Sequence, residues 1–124
     1  MSTAITSIVG GEKVAGDGGH TDLNPSDVGD VVREFGHVGA EVAHDAIAAA
    51  RDAFPAWSST TPWQRAEVLD RAGSEVLARA DELGDLLARE EGKTLPEARG
   101  EVVRAGQILK FFAGDVLQPH GKVV

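Results

Sequence analysis

The side chains that could do acid–base, metal or charge chemistry are few in this sequence, and they are scattered. Four histidines, His20, His37, His44 and His120, lie far apart with no metal-ligand spacing between them, and they read as surface histidines. Glu90 and Glu91 supply the two carboxyl groups that general acid–base work needs. Adjacent residues do not face each other on a helix, however, and a solvated helix end accounts for them. Gly10-Gly11 and the run Gly16 to Gly19, with Asp17 inside it, offer the glycines of a phosphate cradle. Neither has the spaced fingerprint that opens a helix, so both read as flexible turns. Arg104 stands beside the apolar Val102 and Ala105. Either its stem lies along that surface with the guanidinium in water, or it aims a fixed cation into a pocket, and composition does not choose between them.

The elements that must position these groups centre on Leu86–Leu117, which joins a helix end, a charged turn and a second helix start. Gly92 can take the left-handed conformation that a helix C-terminus often needs, and Pro96 restarts the chain at a first-turn position. From there Ala98, Val102, Ala105, Leu109, Phe112 and Val116 recur at spacings of three and four, which predicts one apolar stripe on a helix. Upstream, Thr61-Pro62-Trp63-Gln64 has the form of a capping box and starts another helix, with Ala66, Leu69, Ala72, Val76 and Ala80 as its stripe. Asp81 caps a short third helix carrying Leu83, Leu86 and Leu87. A helix from about Val42 to Phe54 carries Val42, Ala46, Ala49, Ala50 and Ala53, with Trp57 in line with them, and Pro55 is expected to end it. Before Gly39 the signal is extended. Thr6, Ile8, Lys13 and Val14 flank Gly10-Gly11 as a two-residue hairpin. Gly16 to Gly19 is expected to break the chain, Asn24 to Asp30 to turn, and Val31 to Val38 to run extended. Hairpins this small need something to pack on.

At 124 residues there is room for one domain with a modest core. Twenty acids against twelve bases, a formal charge of −8, argue against nucleic acid or an anionic membrane as partner. No cysteine is present, which removes disulfides, thiolate metal sites and a cysteine nucleophile from these residues. The first residues lack a basic region followed by an apolar core, and no window approaches the roughly 20 apolar residues of a membrane span. The reading is a soluble, cytoplasmic protein.

Several runs together carry a resemblance. They are Asn24-Pro25-Ser26 with Gly29, Ala46 through Trp57, Pro62 with Arg65 and Val68-Leu69, Glu90-Glu91-Gly92-Lys93, Glu101-Val102-Val103-Arg104, and Phe111-Phe112-Ala113-Gly114. In this order they resemble the N-terminal portion of the aldehyde dehydrogenase superfamily over nearly the whole chain. Within it the chain is similar to bacterial semialdehyde dehydrogenases acting on acidic substrates such as α-ketoglutaric semialdehyde. The first hairpin departs from the pattern: Gly11-Glu12-Lys13 stands where the family often has tryptophan after Asn-Gly.

The resemblance implies an α/β fold, with N-terminal β-hairpins and about four helices forming part of a Rossmann-like cofactor-binding domain. Residues 1–124 would be one incomplete domain, strands and turns over 1–40 and helices over 41–124. It implies NAD or NADP, a small-molecule aldehyde substrate and a homo-oligomer for a full-length enzyme. The family's catalytic cysteine, general base and dinucleotide segments match nothing in this chain, so no catalytic or cofactor-binding residue is assigned and the chain alone is expected to be inactive. Two further assignments come only from the resemblance: a monovalent cation site at Asp22, Leu23 and Glu90, and recognition of a substrate anion by Arg104. The alternative is a stand-alone helical interaction module without catalysis.

Overall fold

The computed structural model describes residues 6–118 and 121; His120 and the first five residues, read above for a leader, lie outside them. Four strands and four helices follow in chain order: β1 Ser7–Val9, β2 Glu12–Val14, β3 Asp17–Asn24, β4 Asp27–His37, α1 Ala40–Ser58, α2 Pro62–Ala78, α3 Ala80–Glu91 and α4 Leu95–Asp115. The contacts group into two compact units, one of residues 1–59 with Arg89–Gly92, the other of Thr60–Ala88 with residues 93–124. No helix among the described residues is long and apolar enough to cross a membrane.

In the first unit, β1 and β2 pair antiparallel, Ser7 opposite Val14 and Val9 opposite Glu12. Gly10 and Gly11 close the loop with φ of 60° and 90°, the doubly positive geometry that matches strand twist. The second hairpin is longer than the sequence suggests. Gly16 to Gly19 does not break the chain, because β3 begins at Asp17. Between Asp17↔His37 and His20↔Phe35 it holds one residue more than β4, a bulge through Gly18 at φ 73°. A long antiparallel partner thus makes strand of glycines that would wander alone. The backbones of Gly16 and Gly36 approach so closely that a β-carbon on either would collide with the other.

The turn also contracts, from Asn24–Asp30 to Pro25-Ser26, and β4 starts at Asp27. Asn24 Oδ1 accepts the Ser26 N–H at 2.9 Å and Asp27 Oδ1 accepts that of Gly29 at 3.1 Å, so side chains satisfy the backbone where the ladder is irregular.

Helix α1 runs through Pro55 to Ser58 rather than stopping before it. A proline this close to the helix end removes only one backbone donor, the one that would serve the Arg51 carbonyl, and the carbonyls of Pro55 and Ala56, open at the C-terminus in any case, accept from the Ser58 and Ser59 hydroxyls. None of its residues is buried. Ala49 meets Gly10 of the first hairpin, whereas Ala50, Ala53 and Trp57 on the expected stripe stay exposed.

In the second unit, Thr61 caps α2 as its sequence predicts: its hydroxyl oxygen accepts the Gln64 N–H, and Gln64 Oε1 accepts the Thr61 N–H at 2.8 Å. Asp81 is not a cap. α3 already begins at Ala80, because α2 bends at Arg79 without a linker, and Asp81 instead pairs with Arg99. Helices α2 and α4 pack on each other through glycine. A β-carbon on Gly73 would come within 2.9 Å of the Gly106 carbonyl, and one on Gly106 within 2.6 Å of Leu77. The buried line of α4 is therefore Ala98, Val102, Gly106 and Ala113. It replaces the predicted path through Ala105 and Phe112, both exposed, because close helix approach selects small residues that apolar periodicity does not score. Thr94 closes the start of α4 by donating its N–H and hydroxyl to Glu97 Oε2, at 3.3 and 2.6 Å. That hydroxyl holds the Glu97 carboxyl below its ordinary range.

Candidate functional site

Two places gather polar groups in ways that could bind something. The first, within the first unit, is where the β3–β4 turn meets the end of α3. Gly92 ends that helix at φ 69°, as its sequence predicts, and the left-handed turn presents its carbonyl to the Ser26 hydroxyl, which donates at 2.9 Å. A β-carbon there would lie 2.8 Å from Pro25 and 2.9 Å from Ser26 Oγ. One turn earlier, Arg89 donates two hydrogen bonds to Asp30, at 2.7 and 2.6 Å, and a third to the Val31 carbonyl at 3.2 Å. The Asn24 amide donates to the same carboxylate at 3.2 Å. This bidentate fork ties α3 to the hairpin across 59 positions.

Asp22 is half-buried opposite Arg33, Leu23 pairs with Val31, and the register shifts on both sides of Leu23. Glu90 is exposed, next to the clamping Arg89. Thus the segments carrying Asp22, Leu23 and Glu90, far apart in sequence, belong to one unit, tied together by Ser26–Gly92 and Asp30–Arg89. Among the described residues no three His, Cys, Asp or Glu side chains form a metal-binding group. Oxygen is what this region offers: carboxylates, a serine hydroxyl and main-chain carbonyls where the ladder is interrupted.

The Arg89 fork holds the Asp30 carboxyl below its ordinary range, and the Asn24 hydrogen bond adds to the effect. A carboxyl lowered on folding contributes stability that is fully present above its unfolded pKa and is lost as pH falls through the folded one. Resistance to urea should therefore fall as pH drops below the usual aspartate range, and Asp30→Asn should remove part of that decline. Identical acid limbs for the two proteins would show that the pair contributes nothing.

The second place, within the second unit, is one face of α4. Arg104, Gln107, Ile108, Phe111 and Phe112 line a groove of about 530 Å³ on the side of the helix away from Gly106. Ile108, Phe111 and Phe112 are 44, 67 and 50% exposed, so the apolar wall is open. The Phe111 and Phe112 rings meet edge to face at 5.3 Å. Arg104 does not pair with Glu101, the partner one turn earlier that would have made it structural; Glu101 accepts from Lys93 at 2.7 Å instead. A guanidinium at one end of an apolar groove suits a molecule with an apolar body and an anionic tip.

A second groove of about 570 Å³ runs past Trp63, Ala66, Asp70, Lys110, Ala113 and Leu117. Its lysine is already paired with Asp70 at 2.8 Å, so it offers no comparable cation.

Sequence reading did not find the Arg89–Asp30 fork, and no local signal marks it. The Thr94–Glu97 closure was readable from the threonine-x-x-glutamate spacing. The sequence also gives no sign that β3 and β4 bring His20 and His37 together, while His44 lies apart on α1.

Residues 14–124 match the family model described as the aldehyde dehydrogenase family. The chain is 37% identical over 101 residues to an α-ketoglutaric semialdehyde dehydrogenase of Bacillus subtilis, covering 82% of this chain and 21% of that protein. It is 36% identical over 115 residues to an α-ketoglutarate semialdehyde dehydrogenase of Haloferax volcanii, covering 91% and 24%. Among solved structures it is similar to an NAD-dependent benzaldehyde dehydrogenase from Corynebacterium glutamicum, with TM-score 0.88 and 28% identity over 96% of this chain and 26% of that one. The chain spans about a fifth to a quarter of the length of these proteins.

Proposed function

The chain belongs to the aldehyde dehydrogenase family, and from that premise we propose that it serves an enzyme oxidising an acidic semialdehyde to a carboxylate with NAD or NADP. In this reading the 124 residues are one incomplete domain of that cytoplasmic, homo-oligomeric enzyme. The observation that carries the substrate class is Arg104 at the end of an open apolar groove with its nearest sequence candidate, Glu101, taken by Lys93. The guanidinium would meet the distal carboxylate while Ile108, Phe111 and Phe112 line the path of the carbon chain. The semialdehyde names of the two curated relatives support the same class.

Oxidation through a covalent thiohemiacetal needs a thiol, and this chain has no cysteine. The nicotinamide cofactor supplies the hydride acceptor when bound, and the chain's own residues bind and orient. The test of the reading is the coding sequence beyond codon 124. It should continue into a glycine-rich dinucleotide segment and a cysteine; a stop codon directly after Val124 would overturn the reading for this product and favour an interaction module.

We further propose a monovalent cation at Asp22, Leu23 and Glu90. Main-chain carbonyls at the interrupted ladder around Leu23 and the Glu90 carboxylate are the hard oxygen donors such an ion takes. Glu90→Gln in the enzyme carrying this chain should diminish the increase in melting temperature on adding potassium. An equal response in both proteins would remove Glu90 from the site.

A further inference from the structure

Seventeen positions separate His20 from His37 in sequence, and the hairpin brings them ring to ring. Their centroids are 4.0 Å apart with planes inclined at 67°, and Phe35 lies 5.8 Å from each. Both histidines are exposed. We propose that His20 and His37 form a two-imidazole clip for a divalent late first-row transition ion such as Cu²⁺ or Zn²⁺, distinct from the oxygen-rich loop near Gly92.

Three observations carry the inference. First, the ligand type is right: neutral imidazole nitrogens suit copper, nickel and zinc, which carboxylate and carbonyl sites do not select. Second, the spacing is close. A metal–nitrogen bond of about 2.0–2.1 Å places two imidazole centres sharing one ion on the order of 5 Å apart, so these rings need part by only about 1 Å. Third, the backbone beneath them is fixed. Gly16 and Gly36 touch backbone to backbone, and the bulge through Gly18 sets His20 opposite Phe35, which brings its ring against His37.

The surroundings favour a cation. Asp17 is the cross-strand partner of His37, so a carboxylate shares the histidines' face of the hairpin. No third histidine, cysteine or carboxylate completes a set among the described residues, so water fills the remaining positions. The clip is therefore a labile site that leaves coordination positions open to an incoming ligand. Two imidazoles packed beside a phenylalanine would give the same ring geometry with no affinity for metal, and that is the view the experiment must exclude.

The protein, free of affinity-tag histidines, is titrated with Cu²⁺ and with Zn²⁺ by calorimetry, and the copper complex is examined by electron paramagnetic resonance. One ion should bind per chain, copper more tightly than zinc, with hyperfine structure from two nitrogens. His20→Gln and His37→Gln should each weaken binding by about tenfold or more, because the second imidazole acts at the high effective concentration of an intramolecular partner. His44→Gln and His120→Gln should leave it unchanged, and thermal melts without metal check that all four fold alike. Binding that survives His20→Gln and His37→Gln, binding lost equally in all four variants, or no binding at all would overturn the clip.

Discussion

Gly92→Ala should destabilise the protein by roughly 2–5 kcal/mol, a large share of the stability of a domain this size. Gly92 sits at φ 69°, where an L side chain costs about 1–2 kcal/mol. The added β-carbon would stand 2.8 Å from Pro25 and 2.9 Å from Ser26 Oγ, and overpacking of that kind costs about 1–3 kcal/mol more. Neither neighbour can yield easily. Pro25 is a rigid ring in a two-residue turn, and Ser26 is held by its hydrogen bonds to Asn24 and to Gly92 itself. Urea unfolding of Gly92→Ala beside Gly100→Ala separates this from an ordinary helix effect. Gly100 lies inside α4 with open space where its β-carbon would go, so alanine there should be stabilising by about 0.5–1 kcal/mol. Similar midpoints for the two variants would mean that the α3 end and the turn do not hold each other.

Arg104→Ala, in the enzyme that carries this chain, should lower kcat/KM about 10- to 150-fold for an anionic semialdehyde and little for a neutral aldehyde of similar length. The figure is the 1.5–3 kcal/mol of a hydrogen bond to a charged group, converted at about 1.4 kcal/mol per decade. Arg104→Lys should recover only part, since an ammonium keeps the charge but not the planar fork. A thermal melt guards against a folding defect, which the exposure of Arg104 makes small. If both substrates lose activity in the same proportion, Arg104 is not reading the anion, and the acidic-substrate reading loses its support in this chain.

What was legible in the sequence was local. The Gly10-Gly11 turn, the Thr61–Gln64 cap, the positive φ of Gly92 and the place of Pro96 are each set by residues within one turn, and all take the predicted geometry. What was not legible depended on a partner elsewhere. Gly16 to Gly19 looked like a break because nothing nearby says that β4 will run alongside. Pro55 reads as a stop because the proline rule does not say how close the helix end already is, and within three residues of Ser58 the loss of one donor does not end the helix. On α4 the buried path passes through Gly106 rather than Ala105, since a glycine counts for nothing in hydropathy yet decides where two backbones can touch. The candidate site divides the same way. Arg104 is proposed from its Glu-Val-Val-Arg context within a family resemblance, whereas the Asp30–Arg89 fork and the His20–His37 contact join positions that only strand pairing and helix packing relate.

We propose that these residues serve aldehyde oxidation. The most direct test is the rate of nicotinamide reduction with α-ketoglutaric semialdehyde and NAD or NADP, measured for the 124-residue chain and for the enzyme that contains it. The chain alone should show no turnover, and the containing enzyme should turn over steadily and favour the semialdehyde over a neutral aldehyde of similar length. Turnover by the isolated, cysteine-free chain, or none by the containing enzyme with any aldehyde, would contradict it.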